Sequence, residues 1–243
     1  MSAIFLELER VESRVLGALR CTDGVTGTPI DRPLEVRAAG ADILRNRSGL
    51  YVIRRAEALA AHEASFEAPP ALPAQGSVAL ALTVADPLGA YLPRRATVLL
   101  PRDPDPANAG TAASLFRPLD LPLYPSPAAP LAVNWAVLRI SLVAAGGEHL
   151  GGALLRVLRN GNVLARGLTD WRGEGLLPVA GVPVTTFSED EQAVVISEIE
   201  VTVQALLDPA ALEAAAATLP ATQQNVAIAA RRAQALSLSL TLP

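Results

Sequence analysis

Residues 236–242 read Leu-Ser-Leu-Ser-Leu-Thr-Leu, an unbroken alternation of apolar and small polar side chains. A period of two puts every leucine on one side of an extended chain, so the segment can bury a face only as a β-strand laid against a core. The stretch 197–204, Ser-Glu-Ile-Glu-Val-Thr-Val-Gln, alternates equally well and is expected to be its antiparallel neighbour. Further apolar runs of strand length fall at 34–36, 50–53, 78–84, 97–100, 137–143 and 154–158, bounded by Gly, Pro, Asn or Asp. The pattern predicts a mainly β chain built as two stacked-sheet bodies.

Helix signals are scarcer. A short helix is expected near 209–219, where Asp208 can cap, Pro209 suits the first turn, Leu212 and Leu219 share a face, and Pro220 stops it. A second helical or irregular piece is expected over Arg55–Ser65, and a third over Gln223–Arg232. Between Pro101 and Pro130 the prolines fix φ and remove amide donors, which excludes a central strand and favours an extended strap. The expected organisation is an N-terminal sandwich over 1–110, a Pro-rich linker over 111–130 and a C-terminal sandwich over 131–243. The Pro122 to Pro125 spacing could also dock an aromatic groove as a polyproline ligand, against the plainer strap.

Composition narrows the function classes. With 243 residues, 51% hydrophobic and 18% charged, the chain can fill buried cores. A net charge of -4 gives no general attraction to phosphates, and the pairs Arg54-Arg55, Arg94-Arg95 and Arg231-Arg232 are far apart in sequence, so nucleic acid is not expected as a partner. The lone Cys21 excludes an internal disulfide and reads as a small buried apolar residue. Glu7 and Glu9 interrupt the early apolar stretch before a signal-peptide core could form, and the greasy region 131–145 is broken by Asn134 and Arg139. A cytoplasmic protein with no membrane segment is expected.

Two segments look like variants of one β-rich unit with Gly, Asn and Asp turns at similar places. The first runs from Thr22-Asp23-Gly24 through Leu34-Glu35-Val36 to Gly49-Leu50-Tyr51-Val52; the second runs from Gly151-Gly152 through Arg159-Asn160-Gly161 to Gly173-Glu174-Gly175-Leu176. In the first, the turn at Thr26-Gly27, then Pro29-Ile30, a short strand and Gly49-Leu50-Tyr51, resembles the carboxypeptidase regulatory-like domain. The resemblance implies a small transthyretin- or immunoglobulin-like β-sandwich, here two such domains with one or two short helices, acting as an accessory module rather than a catalyst. Gly27 would take a positive φ in the turn, and Gly49 would lead into a strand where Tyr51 supplies a large apolar body. The second segment has Gly173-Glu174-Gly175 where Gly-x-Tyr would stand. A looser likeness is to β-rich accessory proteins encoded with phage tails and contractile injection machines, carried by no single motif.

Residues able to do chemistry are few. His62 lies in an Ala/Glu-rich piece and His149 in a Gly-rich loop; neither has a Ser or Cys nucleophile in a recognisable turn beside it, so both read as structural or surface residues. Asp103, Asp105 and Asn108 offer oxygen ligands at loop spacing, but the central Gly and distal Glu of a calcium loop are missing and prolines stiffen the segment. No catalytic residue, cofactor or metal site is assigned. Trp135 is expected in the second core. Trp171 sits in Asp170-Trp171-Arg172-Gly173, where packing over the linker is favoured over anchoring a partner; Trp171, Arg172 and Tyr124 are the candidate partner contacts. The expected function is a non-enzymatic structural or adaptor part of a larger assembly, phage-tail-like in the finer reading, with self-association through the 236–242 edge as one route. The alternative is a small-ligand or glycan-binding sandwich with a pocket holding Trp135 or Trp171.

Overall fold

A computed structural model describes residues 14–64, 72–183, 186–187, 194–195, 198–207 and 219–242. The strands among them are β1 Gly17–Asp23, β2 Glu35–Ala38, β3 Ala41–Arg45, β4 Tyr51–Ala56, β5 Val78–Ala85, β6 Arg94–Leu100, β7 Leu119–Leu123 and β8 Ala136–Ala144. They continue as β9 Leu154–Arg159, β10 Asn162–Leu168, β11 Glu174–Val179, β12 Thr186–Phe187, β13 Val194–Val195, β14 Glu198–Leu206, β15 Ala221–Ala229 and β16 Ala233–Leu240. The protein is mainly β, as the alternation predicts. The helical piece expected over 55–65 is a 3-10 turn, Glu57–Leu59, running into one short helix, α1 Ala60–Glu63. The helix expected near 209–219 falls almost wholly outside the described residues.

Residues 223–232, read as a helix, belong instead to β15 and the turn after it. β15 pairs with β14 from Leu206↔Ala221 to Glu198↔Ala229, and its Val226 and Ile228 are buried. A complete ladder and an apolar face in the core outweigh the weak local preference of an Ala- and Gln-rich stretch.

The chain divides into two compact units, each assembled from separate stretches. The first comprises the described residues up to Cys21, Asp31–Val84 and Arg95–Leu121; the second comprises Thr22–Ile30, Ala85–Arg94 and the described residues from Pro122 onward.

In the second unit the antiparallel sheet β10-β9-β14-β15 faces the sheet β11-β8-β16. Leu138, Ile140 and Leu142 of β8, Leu155 and Val157 of β9, Val201 and Val203 of β14, and Leu236, Leu238 and Leu240 of β16 form one buried cluster with Leu177 and Val179 of β11. Alternating inward residues from two sheets make a β-sandwich, each buried leucine contributing about 1.5–3 kcal/mol. The β9–β10 hairpin turns at Asn160 (φ 51) and Gly161 (φ 80), the two positive φ values of a type I′ turn. On the outer side of the four-stranded sheet, Leu154, Leu168 and Leu206 pack with Tyr124, and Leu92 and Leu219 lie against them.

The 236–242 alternation holds, but its neighbour is not the expected one. β16 runs parallel to β8, from Ala233↔Val137 to Leu240↔Ala144, while β14 lies between β9 and β15. The link from β15 to β16 explains the change. Arg231 takes φ 64, its amide donates to the Trp135 carbonyl at 3.0 Å, and the Val137 amide donates to the Arg232 carbonyl at 2.9 Å. The chain therefore crosses from one sheet to the other instead of doubling back. Alternation decides which side chains face the core and leaves the partner strand open.

In the first unit the sheets are β3-β4-β1-β7 and β2-β5-β6. Leu19, Cys21, Tyr51, Ile53, Leu82, Val98 and Leu100 are buried, so Cys21 is the small apolar residue the sequence suggested. At Gly17 a Cβ would lie 3.1 Å from Arg102 Cδ, so the glycine lets that side chain close on β1. Tyr51 has the predicted apolar body, and its hydroxyl donates to the Leu34 carbonyl (3.1 Å) while accepting from the Leu34 amide (2.6 Å). Gly27 and Gly49 take φ 73 and 78, as their turns require. Within the Pro-rich stretch, β7 pairs beside β1, and Arg20 grips Asp120 through two hydrogen bonds of 2.5 and 3.0 Å.

Candidate functional site

The most prominent surface feature of the second unit is the turn joining β10 to β11, which carries Trp171 at 84% exposure. Packing over the linker, the favoured reading of this residue, is thereby excluded. The turn is stiff. The Asp170 carboxylate accepts from the amides of Arg172 (2.8 Å) and Glu174 (3.0 Å), the Gly173 amide donates to the Asp170 carbonyl (3.0 Å), and the Asp170 amide donates to the Glu174 carbonyl (2.7 Å). An aspartate at the head of a turn is suited to this because its short carboxylate reaches amides two to four residues on.

The base of the turn is equally fixed. Buried Thr169 donates its hydroxyl to the Leu150 carbonyl at 2.8 Å and accepts from the Ala153 amide at 2.9 Å. Gly173 has φ 72, and a Cβ there would stand 2.4 Å from the Leu142 carbonyl oxygen; one on Gly151 would stand 2.8 Å from Trp171 Cα. Glycine at both positions lets neighbouring backbone close on the turn.

Arg172 lies over the Trp171 ring at 5.7 Å and is held by Asp170 (3.2 Å) and Glu174 (2.7 Å). The guanidinium covers one ring face. Tyr124, grouped with these two in the sequence, is only 4% exposed and is enclosed in the cluster of Leu154, Leu168 and Leu206. A Cβ on Gly24 would come within 2.6 Å of its ring, and Arg94 lies over that ring at 5.8 Å. Tyr124 is thus a packing residue, not a surface contact: it covers the outer leucines of the sheet.

The remaining candidates are dispersed. Trp135 is half-buried and lies outside the core cluster it was expected to fill, because the strand that follows starts at Ala136 and leaves it at the rim. His149 is exposed in the second unit, and His62 is buried in the first. Asp103 accepts from the Asp105 amide (2.9 Å) and from the Asn108 side chain (2.8 Å), and these hydrogen bonds hold its carboxyl below the usual range. Asp105 caps the 3-10 turn Pro106–Asn108. These oxygens serve the loop, and among the described residues no group of three or more His, Cys, Asp or Glu could hold a metal ion. No helix among them is long and apolar enough to cross a membrane.

Two cavities occur in the first unit. One, of about 730 Å3, is bordered by residues that include Arg14, Asp42, Arg54, Glu57 and Glu63. The other, of about 220 Å3, lies beside His62 and Arg102, a feature the sequence did not signal. Neither is lined by Trp135 or Trp171.

Comparison with family models and with curated proteins gives no match. Among solved structures, the chain is similar to the Bacillus anthracis TIE protein, at 11% identity and a TM-score of 0.29, over 86% of this chain and 34% of that one. It is also similar to BcpA, the major pilin subunit of Bacillus cereus, at 6% identity and a TM-score of 0.26, over 86% of this chain and 54% of that one. The chain therefore spans about a third and about half of the two proteins' lengths. Overlap of this extent supports no inference about the role of this protein.

Proposed function

We propose that the protein is a non-enzymatic structural part of a larger assembly, an adaptor that engages its partner through Trp171 and Arg172. The observation that carries this reading is an indole almost fully in water on a turn fixed by the hydrogen bonds of residues 169–174 with one another and with their neighbours. Exposing a large aromatic ring is unfavourable in an isolated protein, and holding it rigid lowers the ordering cost of association. Tryptophan and arginine are the residue types that dominate binding energy at interfaces, each able to carry about 2 kcal/mol or more.

In the finer reading the assembly is a phage-tail-like particle, and the first segment is an accessory module of the carboxypeptidase regulatory-like kind. The edge strand β16 offers a second route, self-association through its free side. The test is affinity capture from the source cells with the full chain and with Trp171→Ala. The wild type is expected to retain a protein encoded beside it, and the variant to lose at least about tenfold in affinity with unchanged circular dichroism and melting temperature. A strict monomer in light scattering that captures no co-encoded protein, or a variant that binds as well as wild type, would overturn the proposal.

A further inference from the structure

The smaller cavity of the first unit gathers three basic residues against an apolar wall. Arg102 is 8% exposed, and its guanidinium donates to the carbonyls of Ser114 (2.9 Å), Ala112 (2.6 Å) and Arg117 (3.4 Å). Among the described residues it makes no ion pair with a carboxylate, and the neighbouring charge that acts on it most is another cation, Arg117. His62 is also 8% exposed, and its Nδ1 is buried without a hydrogen-bond partner. Arg14 donates to the His62 carbonyl at 3.0 Å and borders the same space, whose other walls include Leu16, Pro101 and Leu115.

A buried cation without an opposing charge and a buried ring nitrogen without a partner are both costly, and both are relieved by one group that accepts hydrogen bonds and carries negative charge. We infer that this cavity binds a small organic carboxylate, its charged end between Arg102 and His62 Nδ1 and its short hydrocarbon part against Leu16, Pro101 and Leu115. With Nε and Nη2 of Arg102 given to the three carbonyls, Nη1 is the donor turned to the carboxylate, and the neutral imidazole can present Nδ1–H as the second donor. The volume of about 220 Å3 limits the guest to a few carbon atoms beyond the carboxylate. Glu63, adjacent to His62, is occupied with the Ala56 amide at 2.6 Å. The site is separate from Trp171 and does not depend on the adaptor reading.

The chain has two histidines, so its imidazole nitrogens give two resolvable spin systems, assigned by a His149→Gln variant. Full-length protein in a chloride buffer at constant ionic strength is titrated with isovalerate and, separately, with inorganic phosphate, followed by imidazole 15N shifts and calorimetry. Isovalerate is expected to move the His62 nitrogens saturably while leaving His149 in place, to bind at least tenfold more tightly than phosphate, and to weaken at least tenfold in His62→Phe. Arg102→Gln is expected to weaken isovalerate at least tenfold as well; should it fail to fold, the wild-type nitrogen shifts still decide the matter. Unmoved His62 signals, equal shifts at both histidines, or phosphate binding as tightly as isovalerate would overturn the inference.

Discussion

At the scale of single residues, His62 shows how one buried ring couples to pH. Burial first, and the nearby Arg14 charge second, push its proton affinity below the ordinary value, with Glu63 opposing them. The folded state then holds the ring neutral where the unfolded chain, titrating near about 6.5, would protonate it. Stability linked to this group is complete above that value and is lost as pH falls toward the depressed folded one. Urea denaturation in carboxylate-free buffer is expected to show a midpoint that falls as pH drops below about 6.5, a loss that His62→Phe abolishes; an unchanged slope in the variant would reject the assignment. Asp103 and Asp120, both held low by hydrogen bonds, the latter from Arg20, add a second loss as pH drops below about 3.8.

At the scale of elements, the β10–β11 turn concentrates constraint where the surface carries its exposed indole. Gly173→Ala forces a side chain into a positive-φ position with backbone oxygen 2.4 Å away. The substitution is expected to cost about 1–3 kcal/mol in urea unfolding, through strain and the displaced Leu142 carbonyl. Partner capture should fall with it, because the indole would no longer be held in one place. Trp171→Ala removes exposed surface only and is expected to leave stability within about 0.5 kcal/mol. The contrast between the two variants separates the scaffold of the turn from what it displays.

At the scale of the whole molecule, each unit is assembled from non-consecutive stretches, so a cut after the Pro-rich segment does not release an intact second body. A fragment spanning 131–243 would lack Tyr124 and Leu92, which pack with the outer residues Leu154, Leu168 and Leu206. Those three leucines would face water and present an apolar patch on a sheet. The fragment is expected to bind a hydrophobic dye and self-associate in light scattering, whereas the full chain does not bind the dye. A fragment that is monomeric, dye-free and as stable as the corresponding part of the intact protein would show that the cover is dispensable.

The sequence by itself determined the strand character of the chain and the side each strand buries, since Leu236, Leu238 and Leu240 must share a face whenever that segment is extended. It also determined the turns at Gly27 and Asn160-Gly161, because only a few residue types accept positive φ. It marked the Asp170-Trp171-Arg172 turn as a place for an exposed aromatic but favoured packing of the ring over the linker, and the structure exposes it. Tertiary structure alone decided that β16 lies parallel to β8, that 223–229 is strand rather than helix, that Tyr124 is buried, and that His62 and Arg102 border one cavity. Those outcomes depend on contacts between residues far apart in the chain, and such contacts have no local signature: periodicity encodes a face, while the neighbour is chosen by the competition of whole faces for a common core.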